Sequence, residues 1–256
     1  MKNTLHQDYS LFRGKIASSA LVLIATLLTA STSARADSDD RHGNDCEDCR
    51  DIGIFPPFSR PYGKSYAEWS VAAQRWALGL PVVSPSGVTH PYTDSPTFDV
   101  REGQTGQVWF LAQPFGTIER TCTIPAGKAL FLIMPGSEWS SLEGFATKAE
   151  QRAAAELYFD HIVNPFCIVD GVRVRNIGAF GVESPQFTFT APTPWIFGDV
   201  GGTGTSVAKS YHIFLAPLSR GKHTLHFGGA FHFSIAEGDD FDFDASLDIT
   251  YLLTVK

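Results

Sequence analysis

The pattern of apolar and polar positions after residue 106 predicts mainly β-strands. Short runs that are rich in β-branched and aromatic residues, or that alternate apolar with polar residues, are bounded by Gly, Pro, Ser and Asp. Asp170-Gly171 predicts a hairpin between residues 167–169 and 172–174, because Asp-Gly accepts the positive φ angles of a tight turn. The other predicted strands are 107–112, 128–134, 186–190, 210–215, 222–227 and 242–255.

Two segments have helical spacing instead. Ser65 and Glu68 match a capping box, which satisfies free backbone amides at a helix start, and Gly79 ends this first helix. Its apolar positions lie on one face, so we expect both of its indole rings in the core. These positions are Trp69, Ala72, Ala73 and Trp76. A second capping box predicts a helix that starts at Thr147 and runs through Val163.

Strands at close intervals, without regular alternation of strand and helix, indicate an antiparallel β-sandwich or a jelly-roll-like fold. We therefore predict a mainly β fold with two accessory helices, in a single domain over residues 55–256. Residues 37–54 are rich in Asp, Arg, Asn and Gly and have few apolar groups to bury, so we expect an exposed, flexible polar segment there.

Residues 1–36 predict a cleavable secretory signal peptide. A basic head precedes an apolar run at residues 20–28, which is shorter than the stretch of about 20 residues that spans a bilayer. The small residues at the ends of Ala34-Arg35-Ala36 suit signal peptidase and place the cut before Asp37. We expect a periplasmic or secreted protein that does not insert into a membrane after cleavage.

The charge balance limits the partners. Loss of the leader removes four basic residues and one acidic residue, which changes the formal net charge from −7 to about −10. This acidic balance argues against nucleic acid and anionic lipid as partners. We expect the partner to be an extracellular ligand or an envelope component whose identity the sequence does not give.

An even number of cysteines in an oxidising compartment normally pairs, and the four here allow three pairings. Cys46 with Cys49 and Cys122 with Cys167 are favoured, because the first two lie in one polar segment and the others lie beside predicted strands. Redox catalysis by the first pair is disfavoured by the two acidic residues between them. Zinc bound by that pair and His42 would lack a fourth ligand.

Four phrases together resemble a family of uncharacterised secreted bacterial proteins, over most of residues 55–256. They are Tyr-Gly-Lys-Ser-Tyr-Ala-Glu-Trp at 62–69, Val-Trp-Phe-Leu-Ala at 108–112, Arg-Thr-Cys-Thr-Ile-Pro-Ala-Gly-Lys-Ala-Leu-Phe at 120–131, and Gly-Lys-His-Thr-Leu-His-Phe at 221–227. The resemblance implies no activity, cofactor or catalytic residue. Members of the family often have a cysteine upstream of the Val-Trp-Phe-Leu strand, where this chain has Phe98 and Val100. This departure from the family pattern favours Cys167 as the partner of Cys122.

Three histidines within ten residues are the first candidate metal ligands, since imidazole binds zinc, copper and iron. On a strand His223 and His226 point to opposite faces, and His226 shares a face with His232 only if Gly228-Gly229 adds no bulge. A structural or ligand-binding role is therefore favoured over a metal site.

Aspartates near the C-terminus are the second candidate group, since carboxylates bind calcium. They are Asp240, Asp242 and Asp244. They alternate with Phe241 and Phe243, which favours core phenylalanines and solvated carboxylates, and the spacing of an EF-hand loop is absent. We predict neither a metal nor a cofactor.

Glu138 and Glu143 flank Trp139, and paired carboxylates beside an aromatic ring can hydrolyse glycosides. With His226 they are the candidate catalytic residues, although loop acids are more often surface or capping groups. A Gly-x-Ser-x-Gly elbow is absent from the sequence. The Gly-rich residues 198–204 lack the Lys of a phosphate loop and predict a flexible loop.

The sequence favours a binding or structural module over an enzyme. The alternative is a hydrolase or a metal-assisted enzyme that acts on an extracellular polymer. Convergence of at least two of Glu138, Glu143, His223 and His226 on one cleft would favour the enzyme, and scattered positions would favour the binding module.

The site of signal cleavage gives the first testable prediction. N-terminal sequencing of the exported protein should start at Asp37 or within a few residues of it, because Ala34-Arg35-Ala36 suits the peptidase. An exported protein that retains Met1 would contradict the prediction.

Overall fold

The computed structural model describes residues 52–85, 87–93, 100–114 and 116–256. The predicted signal peptide lies outside them, as do residues 37–51 of the predicted polar segment. Ile54, which was assigned to that segment, is buried and forms a β-bridge with Leu215, so the folded region begins before residue 55. None of the described helices is long and apolar enough to cross a membrane.

The described residues form two mixed five-stranded sheets, which confirms the predicted mainly β, sandwich-like class. The strands are β1 (Val108–Leu111), β2 (Gly116–Ile124), β3 (Ala129–Ser140), β4 (Ile162–Val169), β5 (Val172–Arg173), β6 (Gly181–Glu183), β7 (Phe187–Ala191), β8 (Gly202–Leu215), β9 (Gly221–Phe233) and β10 (Phe243–Val255). The first sheet has the order β1-β3-β8, and both β6 and β7 pair with β8. The second sheet has the order β2-β10-β9-β4-β5. The pairs β1–β3 and β2–β10 are parallel and the other pairs are antiparallel.

Helix α1 (Tyr66–Leu78) has the predicted capping box and packs on the first sheet. The Ser65 hydroxyl accepts a hydrogen bond from the Glu68 amide, and the Glu68 carboxylate accepts one from the Ser65 amide. Gly79 is the C-cap residue, as predicted. The local sequence therefore determines both ends of this helix.

The two tryptophans of α1 are core residues, as predicted. Trp69 is 9% exposed and Trp76 is 8% exposed. Each indole N–H donates to a backbone carbonyl, that of Pro61 at 2.9 Å for Trp69 and that of Glu102 at 3.0 Å for Trp76. Burial of these large rings is compatible with their polar N–H groups because both groups have an acceptor.

Helix α2 (Lys148–Asp160) begins with the predicted capping box, but its predicted end at Val163 is wrong. The helix ends at Asp160, and β4 starts at Ile162. Ile162 pairs with Phe231 of β9, so the β-branched residues that looked like the end of the helix gain a strand partner instead. Tertiary pairing overrides the helical spacing there.

β3 differs from the half-buried strands because both of its faces are covered. Along β10 every second residue from Leu247 to Val255 is buried, whereas the whole segment from Ala129 to Met134 of β3 is buried. Helix α1 packs on one face of the first sheet, and helix α2 and the second sheet pack on the other face. A continuous apolar run is typical of a strand in that position.

The hairpin prediction is confirmed and one loop prediction is corrected. Asp170 and Gly171 have φ angles of 49° and 82°, and they connect β4 to β5. The predicted flexible loop at residues 198–204 is wrong at its end, because β8 already starts at Gly202 and pairs with β7. Because glycine is uncommon in strands, the glycines at the start of β8 hid this part of the strand from the sequence pattern.

The predicted disulfide between Cys122 and Cys167 is wrong for this fold. Both residues are buried, and their sulfur atoms are not bonded to each other. Cys122 lies on β2 and Cys167 on β4, with β10 and β9 between them. Three strand spacings amount to about 14 Å, whereas a disulfide needs Cα atoms within about 7 Å. Cys46 and Cys49 lie outside the described residues.

Truncation of Trp76 tests the packing of α1. Trp76→Ala should lower the free energy of unfolding by about 3 to 5 kcal/mol, through lost burial and the cavity left behind. Phe58→Ala is the matched control, because Phe58 is 90% exposed and its loss should change stability by about 0.5 kcal/mol or less. Chemical denaturation of both variants measures the difference, and equal effects would contradict the packing.

Candidate functional site

A cleft lies where β3 loses one of its neighbours. Strand β1 pairs with β3 only from Ala129 to Leu132, and beyond Leu132 no other described strand pairs with that side of β3. A cavity of about 60 Å³ lies beside this segment, with Met134 and Glu138 in its wall. Residues of α1 and of the second sheet both line the cleft.

A bulge in β3 determines which side chains reach the cleft. The register with β8 shifts between Ile133 and Gly136. A Cβ atom at Gly136 would come within 2.1 Å of the Ser210 hydroxyl oxygen, so only glycine fits against β8 here. After the bulge Glu138 pairs with Ala208, which faces α1, and its carboxylate therefore lies on that side of the sheet. Bulges commonly redirect side chains next to functional sites.

Polar side chains from separate segments of the chain contribute to the cleft wall. Tyr92 donates a hydrogen bond from its hydroxyl to Gln74 Oε1 at 3.2 Å. Glu138 is 5% exposed, and its Oε1 accepts a hydrogen bond from the Ser206 hydroxyl at 2.7 Å. Gln113 is also 5% exposed, and its Oε1 has no hydrogen-bond partner among the described residues. The cleft therefore holds buried polar groups in a largely apolar setting.

Aromatic rings form both walls. On the side of the second sheet the Trp139 and Tyr158 centroids are 5.0 Å apart, and Phe231 and Phe243 also line the cavity. On the side of α1, Tyr92 and Phe197 are stacked with centroids 6.1 Å apart. The polar groups and the rings thus face a common space.

Two buried side chains hold the turn that carries Tyr92. His90 Nδ1 accepts a hydrogen bond from the Tyr92 amide, and Nε2 is 2.8 Å from the Ala77 carbonyl, so the ring is neutral and donates from Nε2. Burial lowers the pKa of His90 to about 4. Arg120 donates to the carbonyls of Pro91 at 2.9 Å and Thr93 at 2.5 Å, one on each side of Tyr92. These contacts hold Tyr92 in place in the wall of the cavity.

The candidate carboxylates Glu138 and Glu143 lie on one face of the sheet. Ser140 and Ser206 are direct partners in the β3–β8 ladder. Ser206 donates to Glu138, and Ser140 donates to Glu143 at 2.6 Å. Of the two, Glu138 lines the cavity and Glu143 is not among its described lining residues.

The candidate histidines belong to the second sheet and do not reach the cleft. His226 Nε2 is 2.7 Å from Asp248, and the register of β9 with β10 is continuous through Gly228-Gly229, so His226 and His232 share the outer face. His223 lies at the strand end, where its Nδ1 is 2.6 Å from Asp170. These histidines contact aspartates and are not among the described residues that line the cavity.

The candidate aspartates are similarly separated. Asp244 lies 2.7 Å from His232, Asp242 accepts a hydrogen bond from the Ile235 amide, and Asp240 is exposed. Within the described residues, no group of three or more His, Cys, Asp or Glu side chains is arranged to hold a metal ion.

Most of the cleft residues were absent from the sequence prediction. Ser70 and Gln74 are buried polar residues one turn apart in α1. Two polar residues beside the apolar stripe of a helix were a usable signal for buried polar groups near this helix. Tyr92, Gln113 and Ser210 carry no comparable signal, because only tertiary folding brings their segments together.

Comparisons with known proteins leave the family of this chain undefined. No family model matches the chain, and no curated protein matches it. Among solved structures, the solution structure of Amebosin aligns over 59% of this chain and 100% of that chain, with 10% sequence identity and a TM-score of 0.19. A likeness this low supports no argument about fold or function.

A second buried histidine is structural. His212 is fully buried, with Nδ1 3.1 Å from the Leu132 carbonyl and Nε2 3.0 Å from the Ser70 hydroxyl. Its ring stacks on Phe131 with centroids 4.7 Å apart. Burial lowers the pKa of His212 to about 4, so the ring is neutral near pH 7.

Acid should destabilise the protein through His212. Its pKa rises from about 4 in the folded chain to about 6.5 on unfolding, so the unfolded chain binds the proton first as the pH falls. Between pH 7 and pH 4.5 this costs about 2 to 3 kcal/mol. Chemical denaturation at both pH values should show that His212→Gln removes this part of the loss.

His232→Gln is the control with the opposite sign. The hydrogen bond to Asp244 raises the pKa of His232, so its contribution to stability is present below about pH 6.5 and is lost as the pH rises through the folded pKa. This variant should lose stability at acidic pH and change little at alkaline pH. The same pH response in both variants would contradict the assignment.

Proposed function

We propose that the protein is a secreted or periplasmic binding module, whose cleft holds a small polar ligand or the polar end of a larger one. The observation that carries the proposal is that Gln113 lines the cavity while its buried Oε1 has no partner among the described residues. A buried acceptor without a donor costs about 1 to 3 kcal/mol, which a bound donor would offset.

The size of the cavity limits the group that enters it. A volume of about 60 Å³ is small beside the roughly 300 to 1,000 Å³ of a pocket that holds a drug-sized ligand. This suits a chemical group of a few heavy atoms better than a length of polymer chain. The rest of a larger extracellular ligand or envelope component would lie outside the cleft.

The predicted signal peptide and the acidic charge support an extracytoplasmic location and argue against a nucleic-acid partner. The resemblance to secreted bacterial proteins supports the same location. Neither feature depends on the cleft, so location and ligand binding are separate parts of the proposal.

An extracytoplasmic hydrolase is the second candidate, and one observation favours it. Glu138 and Glu143 bind neighbouring serines on one face of the first sheet, as two catalytic carboxylates could. That mechanism requires both carboxyl groups to flank the bond that is cleaved. Glu138 alone of the pair is among the described cavity residues, and the histidines lie elsewhere, so binding is the better-supported function.

Methionine labelling tests the proposal directly. The chain has two methionines, Met1 and Met134, and cleavage of the leader leaves Met134 alone. Because Met134 lines the cavity, the mature protein labelled with [¹³C-methyl]methionine should give one methyl resonance that reports on the cleft. We expect at least one compound in a library of small polar fragments to shift this resonance saturably.

A second reporter separates the cleft from the rest of the surface. Leu252→Met places a methyl group on the outer face of the second sheet, which carries His226. Compounds that bind in the cleft should leave this second resonance unchanged. Fragments that move only the second resonance, or a library that moves neither, would refute the proposal.

A pair of isosteric variants tests the role of the cavity carboxylate. Glu138→Gln should weaken binding of a cleft ligand by about 10- to 100-fold, as expected for the loss of a charged hydrogen-bonding partner. Glu143→Gln is the matched control, because Glu143 has a similar bond to serine but is not a described cavity residue. Titration of the Met134 resonance in each variant measures both affinities, and equal losses would contradict the assignment.

A further inference from the structure

The polar groups of the cleft wall point to one chemical class of ligand. Glu138 lines the cavity, and none of the described lining residues is Lys, Arg or His. The side-chain oxygen of Gln113 adds an acceptor without a donor partner among the described residues. A ligand group that enters this space therefore meets a carboxyl group and a further acceptor.

The aromatic walls favour the same class. Six of the fourteen described lining residues are aromatic, and they lie on both sides of the cavity. The face of an aromatic ring carries negative electrostatic potential and attracts cations, most strongly where water is excluded. An anion would gain no such attraction from these rings.

Other classes fit less well. A metal ion needs several oxygen, nitrogen or sulfur ligands, whereas the described residues contain no group of three His, Cys, Asp or Glu side chains suited to hold one. A neutral alkyl group would leave the Gln113 oxygen without a donor. A primary ammonium group supplies positive charge and three N–H donors in a compact volume.

We infer that the cleft binds the primary ammonium end of an organic amine, with its nitrogen near Glu138 and Gln113 and its alkyl part against the aromatic walls. This inference rests on the proposed binding function and names the ligand class for the same site. The alkyl part would contact Trp139 and Tyr158 on one side of the cavity and Tyr92 on the other. Each of these three rings lines the cavity and packs beside another aromatic ring.

A matched series of probes tests the inference on the wild-type mature protein, through the Met134 methyl resonance. Propylammonium, propan-1-ol and propionate share one alkyl chain and differ in charge. Propylammonium should shift the resonance saturably, propan-1-ol should bind at least about tenfold more weakly, and propionate should cause no shift. Tetramethylammonium, which has charge but no N–H donor, should also bind at least about tenfold more weakly than propylammonium.

The variants add a second test. Glu138→Gln should reduce propylammonium affinity by about tenfold or more and reduce its preference over propan-1-ol, whereas Glu143→Gln should change neither. The wild-type probe series remains decisive if Glu138→Gln does not fold. Equal or tighter binding of propan-1-ol, propionate or tetramethylammonium at Met134 would overturn the ammonium inference while leaving the binding function intact. A Met134 resonance that responds to none of these probes and to no library fragment would overturn both.

Discussion

The buried guanidinium of Arg120 is the interaction on which the cleft depends. Arg120 is 1% exposed, and burial of a cation at that depth is costly unless hydrogen bonds compensate for it. Its hydrogen bonds to the carbonyls of Pro91 and Thr93 fix the turn that carries Tyr92. Arg120 also donates to the Tyr251 hydroxyl, which in turn donates to the carbonyl of Ala112, the residue before Gln113. One side chain thus holds two separate cavity segments against the second sheet.

Local signals in the sequence predicted some elements well because those elements need only nearby residues. The capping box of α1 and the Asp170-Gly171 turn are of this kind. Strand β2 and the start of β4 were not predicted because their partners lie more than 60 residues away in the chain, in β9 and β10. The helical spacing through Val163 was real, but pairing with β9 gave that segment a better set of hydrogen bonds.

Of the polar residues of the candidate site, the sequence analysis identified only Glu138, where an acidic residue follows a long apolar strand. The remaining polar groups come from α1, from the turn at Tyr92 and from the end of β1, so no local pattern joins them. The histidine and aspartate clusters were conspicuous in the sequence for a different reason: His226 contacts Asp248 and His232 contacts Asp244 across two neighbouring strands, on the outer face of the second sheet. Clustering in sequence there reflects pairing of neighbouring strands.

The two walls of the cleft belong to different layers of the molecule. Gln74 lies in α1, whereas Phe231 and Phe243 lie in the second sheet, and the cavity lies between them. An occupant that contacts both walls resists their sliding apart, so the force needed to shear the two layers would depend on the ligand concentration. The same contacts would then determine both the affinity for the ligand and the mechanical strength of the protein.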